Sequence, residues 1–517
     1  MSRVSRVSRA SEATRLAVSA GVFICTLAGC GVGGRVGAGM GLAFGIALLV
    51  LPWRRHPVWS WAALYAVRNG PIPLGRPETV TNDRCGGGVR YQDDVAIAAV
   101  QVLGRAHRPT LLAGSGSVQT DNNLDIGELL PLLRQSLGLT VNSLSVIRAG
   151  TRRRNSGDYP RVYDTLVGPS PYAGQRETWL VLRINTTDNA DGLRWRSTAG
   201  TAALAAAQRI AASLRTTGLR ARVASAGDIV ELERRLGSSA LEPLNRRWKT
   251  LRGDSGWMTT YAYQPCDITT AILAQAWTFR VDGVIQNITL SPDGMVRASV
   301  TLRTAQAPTS SPSTTLLTLP GEQARALANT MCGPARSLRG QACMLLRHPL
   351  RIEIGPSGVL LGKIATGERL LMPLADPGDA SRIHIAADDS IAKRLIIRTA
   401  ATGERITLHT RDLLRWDSVR MPNVLVTEQP RPGPGTTVSV VDGSVAPSPR
   451  PATMISIRPA QFAESAAADV AITQTGLATV DVTTAGESTS VEVEFFRAEN
   501  RYISARPAHF LDFEMAE

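Results

Sequence analysis

Cysteine and histidine are scarce in this sequence, with six residues of each type among 517. No two cysteines form a Cys-x-x-Cys pair, and no two histidines stand four residues apart. The usual sequence signs of a disulfide framework and of a zinc site are therefore missing. We predict reduced thiols, no bound metal and no cofactor.

Complete catalytic motifs are also missing. Ser357–Ile364 fails as a phosphate-binding loop, because serine replaces its first glycine and isoleucine replaces its final serine or threonine. Gly253–Gly256 has the Gly-Asp-Ser-Gly letters of a serine-protease nucleophile loop, but no histidine lies in a recognisable partner motif. Asp121–Leu132 lacks the glutamate that a calcium loop needs at its twelfth position. The chain is predicted not to be an enzyme.

Two pairs of adjacent aspartates leave an enzymatic alternative open. Asp93–Asp94 or Asp388–Asp389 could hold a metal-bound sugar nucleotide, as in a membrane-tethered glycosyltransferase-like enzyme on the cytoplasmic face. Adjacent acids are more often part of a solvated turn, and we favour that interpretation.

Lysine is nearly absent, since only three of the 57 basic residues are lysine. Residues 1–70 carry eight arginines and one glutamate, a net charge of +7, so half of the formal charge of +14 lies there. The rest is spread along the chain and forms no basic stripe with aromatics between its charges. Nucleic acid is therefore not a predicted partner.

Two uncharged runs are the main positive feature of the sequence. Residues 16–34 and 36–51 contain no charged side chain, and Arg35 is the only charge between them. Helices of this length measure about 24–28 Å, close to a hydrocarbon thickness of about 30 Å. Because a backbone in lipid must satisfy its own hydrogen bonds, we predict a two-helix transmembrane hairpin over residues 16–55.

Arginines flank this hairpin on both outer sides. The predicted anchors on the cytoplasmic face are Arg15, Trp53, Arg54 and Arg55, whereas the turn holds a single arginine. The positive-inside rule then places both termini in the cytoplasm, with residues 1–15 as a basic N-terminus. The predicted location is the inner membrane, crossed twice.

Glycines recur every four residues from the end of the first run into the second, at Gly33, Gly37, Gly41 and Gly45. At that spacing they stack on one helix face and allow another backbone to come close. The face could pack against the first helix of the hairpin or against a different membrane protein, and both alternatives stay open. Either one predicts transmembrane helix packing at these four positions.

A bacterial lipoprotein signal is the main alternative to the hairpin. An arginine-containing start followed by Leu27-Ala-Gly-Cys30 fits such a signal, with Cys30 as the lipidated residue. That would place the remaining chain outside the cytoplasm. A second apolar run follows at once, which a mature lipoprotein does not need, so the hairpin is favoured.

The rest of the chain is predicted to form a cytoplasmic α+β body. Residues 79–304 are predicted as an α/β domain, because strand and helix patterns alternate there. A capping box at Asp125–Glu128 predicts a helix up to about Leu137. The clearest elements are a strand, a helix, a strand and a helix, at 178–184, 202–216, 219–225 and 228–237, the last one capped by Asp228 and ended by Gly237.

The second half of the body is predicted to be β-rich over residues 316–427. An Ala-Thr-Gly-Glu-Arg echo predicts two hairpins that turn on Gly367 and Gly403. Prolines dominate residues 428–451, which are predicted as a linker. Alternation with period two then predicts a small C-terminal β-rich module, a β-meander over residues 452–517.

Several short motifs follow the predicted hairpin in a fixed order. In the first half they are Gly88-Val-Arg-Tyr91, Trp179-Leu-Val-Leu-Arg183 and, after an alanine-rich helix, Gly218-Leu-Arg-Ala-Arg222. In the second half they are Gly358-Val-Leu-Leu-Gly362, Leu408-His-Thr-Arg411 and Arg415-Trp416. Together with the hairpin they resemble EccE, a membrane component of the type VII (ESX) secretion system of mycobacteria and related actinobacteria.

The resemblance implies a non-catalytic structural subunit of an inner-membrane protein-secretion complex. EccE would assemble there with EccB, EccC and EccD, of which EccC is the ATPase. The incomplete phosphate loop of this chain agrees with that division of labour. The family supplies no catalytic or cofactor-binding residue, so the implied role is to brace ATPase and channel-type subunits through membrane helices and cytoplasmic contacts.

Overall fold

A computed structural model gives the structure of residues 12–50, 52–53, 56–57, 61, 64–65, 69–82, 85–113, 117–151, 158–167, 175–355, 358–376, 380–449, 451–460 and 468–504. The α-helices are α1 (Glu12–Val50), α2 (Asp158–Val167), α3 (Ala190–Leu193), α4 (Ala199–Thr216), α5 (Ala226–Leu236), α6 (Thr270–Gln275), α7 (Gln323–Ala328), α8 (Asp389–Ala401) and α9 (Leu413–Trp416). Short 3-10 helices span Ile126–Leu129, Pro131–Leu133, Ser136–Gly138, Ser238–Leu241, Pro243–Asn245, Pro265–Asp267, Ala276–Thr278, Asp417–Val419 and Arg497–Tyr502.

The strands outnumber the helices, so the body is more β than α. They are β1 (Pro52–Trp53), β2 (His56–Pro57), β3 (Glu78–Thr81), β4 (Gly86–Gln92), β5 (Val95–Gly104), β6 (Thr110–Ala113), β7 (Ser117–Thr120), β8 (Asn123–Asp125), β9 (Ser143–Thr151), β10 (Gln175–Asn185), β11 (Arg220–Val223), β12 (Leu251–Gly253), β13 (Gly256–Tyr263), β14 (Gly283–Leu290), β15 (Met295–Thr304), β16 (Leu316–Thr318), β17 (Met344–Leu345), β18 (Arg351–Glu353), β19 (Val359–Lys363), β20 (Arg369–Met372), β21 (Ser381–Ala386), β22 (Ile406–His409), β23 (Val424–Thr427), β24 (Val438–Asp442), β25 (Thr453–Arg458), β26 (Val470–Gln474), β27 (Thr479–Thr484) and β28 (Glu487–Val493).

An apolar helix, α1, forms the N-terminal part of the described chain. Its span Ser19–Ala47 has the length and composition to cross a membrane, and no other helix among the described residues does. The helix is broken at Gly33 and Gly34, where the backbone angles leave the helical region and Gly34 takes a φ of 59°. The structure therefore has one broken helix where the sequence predicts two separate helices.

The first sheet contains twelve strands in the central order β12-β13-β15-β14-β9-β10-β5-β4-β3. Its neighbouring strands pair antiparallel, and its long central strands are buried on both faces. Alternate residues of β5 explain this burial: Ala98 and Val100 pack in the core that contains α4, whereas Ile97 and Ala99 pack in the core that contains α5. The sheet is therefore covered by a helix on each side, although its strands are antiparallel and not parallel as in a typical α/β domain.

The caps of these two helices come from local sequence signals. The Thr198 side chain accepts a hydrogen bond from the backbone N–H of Thr201 at the start of α4. At the start of α5, Ser225 and Asp228 bond each other's backbone N–H, so Ser225 is the cap and the predicted Asp228 is its third-residue partner. Gly237 ends α5 with a φ of 88°. Both predicted helices are confirmed.

The second sheet also contains twelve strands, in the order β23-β22-β24-β25-β21-β26-β27-β28-β19-β20-β6-β7. The strands from β23 to β26 run parallel, and the remaining neighbours run antiparallel. Helix α8 makes the connection between β21 and β22 and packs into the core of this sheet. The sheet is mixed, with its parallel part covered by a helix.

The two halves of the body exchange segments along the sequence. Strands β6 and β7 lie within the predicted domain 79–304, yet β6 pairs with β20 and the two form one edge of the second sheet. In the opposite direction, β18 of the second half pairs with β8 of the first half. The predicted parts 79–304 and 316–427 are thus joined by backbone hydrogen bonds as well as by the chain.

The predicted linker 428–451 contains a strand of the second sheet. Strand β24 pairs in parallel with β22 on one side and with β25 on the other. The linker prediction is wrong there, because Val438 and Val440 are fully buried β-branched residues of a strand. The prolines on either side give the segment the composition of a linker. The meander β26-β27-β28 exists, but it continues the same sheet at both of its ends.

Two further local predictions differ from the structure. Gly367 does turn a hairpin between β19 and β20, but Gly403 follows α8 and leads into a parallel strand. The two echo copies therefore share only a glycine with positive φ, of 86° and 116°. Asp125 does cap, with its side chain accepting from the Gly127 backbone N–H, but it starts a 3-10 turn and not a helix up to Leu137.

Candidate membrane-proximal interface

Helix α1 exposes most of its apolar side chains. Phe23, Val32 and Met40 are 64%, 94% and 66% exposed. Surface of this kind is unfavourable in water, so the helix requires lipid or another protein around it. It forms the first part of the candidate interface.

Two of the predicted packing glycines face the first half of the same helix. A Cβ atom added at Gly37 would overlap the carbonyl oxygen of Gly29, and one added at Gly41 would overlap the carbonyl oxygen of Cys25. In an unbroken helix these pairs would be far apart, since each residue adds about 1.5 Å of length. The break at Gly33–Gly34 therefore folds the two halves against each other, and glycine is needed for their close approach.

The other two predicted glycines have less crowded surroundings. A Cβ atom at Gly45 would stand 3.3 Å from the Cα of Val22, which is tight, whereas at Gly33 no described atom lies within 4 Å. Gly39, on another side of the helix, likewise has no described atom within 4 Å. Packing of these glycines in a membrane, or against a second protein, stays a prediction.

The predicted anchors lie at the limits of the described chain. The backbone of Arg15 belongs to α1 and that of Trp53 to β1, but their side chains lie outside the described residues. Arg54 and Arg55 lie outside them altogether. Their anchoring role stays a prediction.

Aromatic side chains meet where the chain reaches the body. The ring centroids of Trp61 and Trp248 are 5.9 Å apart, and those of Tyr65 and Trp248 are 6.2 Å apart. These are favourable distances for tilted aromatic pairs. Leu64, between the two, is only 2% exposed. The segment that follows α1 is therefore docked on the first sheet's domain through Trp248.

A cavity of about 730 Å³ opens beside these aromatic rings. Gly321 forms part of its support, since its backbone N–H donates to the carbonyl of Trp248 at 2.7 Å and a Cβ atom there would meet the Trp248 ring. Sequence reasoning missed Trp248, because it lies in a short loop after Pro243–Asn245 where no periodic pattern marks a packing position. The other residues that line the cavity include Trp61, Tyr65, Tyr261, Leu316 and Gln323.

Arg90, from the Gly-Val-Arg-Tyr motif, forms a buried ion pair. Its Nη1 and Nη2 atoms donate to the two carboxylate oxygens of Glu233 on α5, at 2.5 and 2.8 Å. Arg90 Nη1 also donates to the carbonyl of Cys332, whose own backbone N–H donates to Glu233. This motif residue therefore joins β4, α5 and the segment after α7.

Arg183, from the Trp-Leu-Val-Leu-Arg motif, binds the end of a helix. Its guanidinium donates to the carbonyls of Asn329, Met331 and Gly333, which follow α7. Burial lowers the pKa of Arg183 to about 10, and the carbonyl dipoles partly replace its lost hydration. Arg183 is thus a structural residue.

The Arg415-Trp416 motif also holds tertiary structure. Arg415 pairs with Asp389 at the start of α8 and with Asp442 at the end of β24. Trp416 donates its indole N–H to the same Asp442 at 2.6 Å. The motif therefore links the start of α8 to the end of β24.

The aspartate pairs have structural surroundings in this fold. Asp93 and Asp94 form the two-residue turn between β4 and β5, with φ of 50° and 57°. The carboxylate of Asp389 accepts hydrogen bonds from the Arg415 guanidinium, and the carboxylate of Asp388 accepts one from the side-chain amide of Gln474. Within the described ranges, no cluster of three or more His, Cys, Asp or Glu side chains could hold a metal ion.

Comparison with known proteins gives a consistent set of relatives. Residues 172–263 match the model of a family described as a type VII ESX secretion system translocon, EccE. This range starts just before β10 and ends with β13, so it contains α4 and α5. Arg183 and Glu233 lie within it.

Three relatives cover different amounts of the chain. The chain is 48% identical to ESX-2 secretion system protein EccE2 of Mycobacterium tuberculosis, over 94% of this chain and 95% of the relative. It is 25% identical to ESX-1 secretion system protein EccE1 of the same species, over 72% of this chain and 77% of the relative. It is 31% identical to ESX-5 secretion system protein EccE5 of Mycobacterium marinum, over 22% of this chain and 28% of the relative.

Proposed function

The chain belongs to the EccE family of type VII ESX secretion system proteins, and we propose that it is a non-catalytic structural subunit of the inner-membrane secretion complex. The observation that carries the proposal is the pairing of an exposed apolar helix with a large folded body. The helix needs partners in the membrane, and the motif residues Arg90, Arg183 and Arg415 of the body are used for its own tertiary contacts.

The proposed topology is a hairpin that crosses the membrane twice, with both termini in the cytoplasm. Its support is the break at Gly33–Gly34 and the contact of Gly37 and Gly41 with the first half of α1. The arginines on both outer flanks favour the same orientation. Helix α1 also continues past Cys30, which favours the hairpin over a lipoprotein signal.

The proposed partners are EccB, EccC and EccD, together with the lipid bilayer. The EccE resemblance supplies these names, and the exposed side chains of α1 supply a physical reason for partners. In lipid, association depends on close packing of small residues and on shape, so the glycine-rich half of the helix is the proposed contact region. The cytoplasmic body would brace the ATPase and channel-type subunits.

An ESX-2-type complex is the proposed setting. Identity to the ESX-2 relative is 48% over 94% of this chain, against 25% over 72% for the ESX-1 relative.

Complementation of a strain that lacks this chain tests the proposed function. The wild-type chain is compared with one in which residues 12–50 are replaced by an unrelated two-pass hairpin, so that membrane tethering is kept. We expect the replacement to abolish both the intact complex on a native gel and the secretion of ESX substrates, at unchanged protein level. Full assembly and secretion with the unrelated hairpin would contradict a packing role for this segment.

A further inference from the structure

Arg148, on β9, is a buried cation without a carboxylate at salt-bridge distance among the described residues. Its side chain is almost fully buried, since the residue is 2% exposed. One of its five N–H donors bonds Gln286 Oε1 at 2.7 Å, across the pairing of β9 with β14. Burial lowers the pKa of Arg148 to about 9, and the charge of Glu353 opposes that shift.

A second arginine makes the same region still more positive. The guanidinium carbons of Arg148 and Arg176 lie 5.0 and 4.8 Å from the ring centre of Trp277. Arg176 is paired with Glu353, so this single carboxylate faces two buried guanidinium groups. Trp277 Nε1 and Arg176 Nε are themselves buried donors with no hydrogen-bond partner. Unpaired donors and excess positive charge in one place are costly unless an acceptor completes them.

A cavity of about 490 Å³ lies against Arg148, between the first sheet and the edge of the second. Arg148 lines it from the first sheet, Arg351 and Glu353 line it from β18, and Gln119 lines it from β7. Arg351 is exposed, so it stands at the mouth of the cavity with Thr270, whose hydroxyl accepts from the Arg351 backbone N–H at 3.1 Å. Asp121 also lines the cavity, and its carboxylate lies 4.0 Å from Arg108.

We propose that this cavity, the Arg148 pocket, is a binding site for a small oxyanion, a phosphate or a carboxylate, held between Arg148 and Arg351. A guanidinium presents its donors in a planar fork that matches the two oxygens of such a group. The anion would accept hydrogen bonds from the Arg148 guanidinium, and it would connect the first sheet to β7 and β18. Occupancy is therefore expected to stabilise the contact between the two sheets.

Calorimetric titration of the full-length chain in a neutral detergent tests the proposal. Inorganic phosphate and succinate are titrated separately at constant chloride concentration, so that the two sources of oxyanion are distinguished. We expect saturable binding of at least one of them, with one site per chain and a rise in the unfolding temperature. Arg148→Met should weaken that binding by about tenfold to a hundredfold, because one charge-assisted contact is lost.

Three variants separate the site from general effects of charge and of folding. Arg148→Lys keeps the cation but not the fork, so its affinity should lie between those of the wild type and of Arg148→Met. Arg351→Gln changes an exposed residue and carries the test if Arg148→Met does not fold. Arg234→Met is the control, since Arg234 is an exposed residue of α5 that pairs with Glu231 and does not line the pocket. Absence of saturable binding for both anions, or equal binding by Arg351→Gln and the wild type, would overturn the proposal.

Discussion

Glu499 and Arg398 form the most deeply buried ion pair described in the second sheet's domain. Both residues are 0% exposed, and the guanidinium of Arg398 binds both carboxylate oxygens of Glu499 at 2.8 Å. The hydroxyl of Tyr159 donates to the same carboxylate at 2.7 Å. Burial, and then the charge of Glu499, raise the pKa of Tyr159. Residues far apart in sequence thus join α2, α8 and the last 3-10 helix.

Replacing Glu499 with Gln should destabilise the chain strongly. The change leaves the Arg398 guanidinium buried without a counter-charge, a situation that costs about 3–5 kcal/mol of unfolding free energy. Denaturant unfolding followed by tryptophan fluorescence measures the effect. Glu231→Gln is the matched control, because Glu231 pairs with Arg234 and Arg235 at the surface, where the loss of an ion pair changes the unfolding free energy little. Equal losses for the two variants would contradict the account of the buried pair.

Cys332 should resist alkylation in the native state. It is 0% exposed, and burial followed by the nearby Glu233 charge raises the pKa of its thiol to about 12. Since the thiolate is the reactive form, its population at pH 8 is about a thousandfold lower than for an ordinary thiol with a pKa near 9. Iodoacetamide followed by mass spectrometry should label Cys85, Cys266 and Cys343, which are exposed, and leave Cys332 unlabelled until denaturant is added. Labelling of Cys332 at the rate of Cys343 would refute the packing around Arg90 and Glu233.

At the scale of elements, the break in α1 determines what the glycines do. The positive φ of Gly34 permits the reversal, and Gly37 and Gly41 permit the close approach that follows. The same helix has glycines that crowd nothing, such as Gly39. Substitutions at the crowded glycines and at an uncrowded one therefore test whether close backbone packing is what these positions require.

Gly37→Leu and Gly41→Leu should disrupt the N-terminal segment, whereas Gly39→Leu should not. A leucine at either crowded position would overlap a backbone carbonyl and force the two halves of α1 apart. We expect a several-fold lower recovery of partner subunits with Gly37→Leu and Gly41→Leu, measured by co-purification from solubilised membranes. Loss with Gly39→Leu alone would instead assign the partner contact to the opposite face. Unchanged recovery with Gly37→Leu and Gly41→Leu would contradict the packing role.

Local signals predicted some elements well and others wrongly, for a physical reason. The capping groups Thr198 and Ser225 and the helix-ending Gly237 act within a few residues, so the sequence predicts α4 and α5 correctly. Strand β24 is stabilised by parallel neighbours that come from elsewhere in the chain, and its flanking prolines suggest a linker. Long-range pairing of this kind leaves no trace in a local pattern.

The candidate sites also differ in whether a local sequence pattern predicts them. Regular spacing in an apolar run identified Gly37 and Gly41, because helix geometry converts spacing directly into a common face. Trp248 and Arg148 have no such spacing, and their surroundings are assembled from several elements. Only the folded chain brings Arg148, Arg176 and Trp277 together.

At the scale of the whole molecule, two large sheets follow an apolar helix. Exchange of β6, β7 and β18 between the halves makes the body one interlocked unit. The aromatic contact of Trp61 with Trp248 attaches the segment after the helix to this body. The proposed scaffold role requires a connected structure of this kind.

A pull-down tests the structural-subunit proposal most directly. The full chain is tagged at its C-terminus and recovered from native membranes in mild detergent, and the proteins that come with it are identified by mass spectrometry. We expect recovery of an EccC-like ATPase together with EccB-like and EccD-like subunits, at levels far above those from an untagged strain. Recovery of the stable, folded chain without any of these proteins would contradict the proposed role.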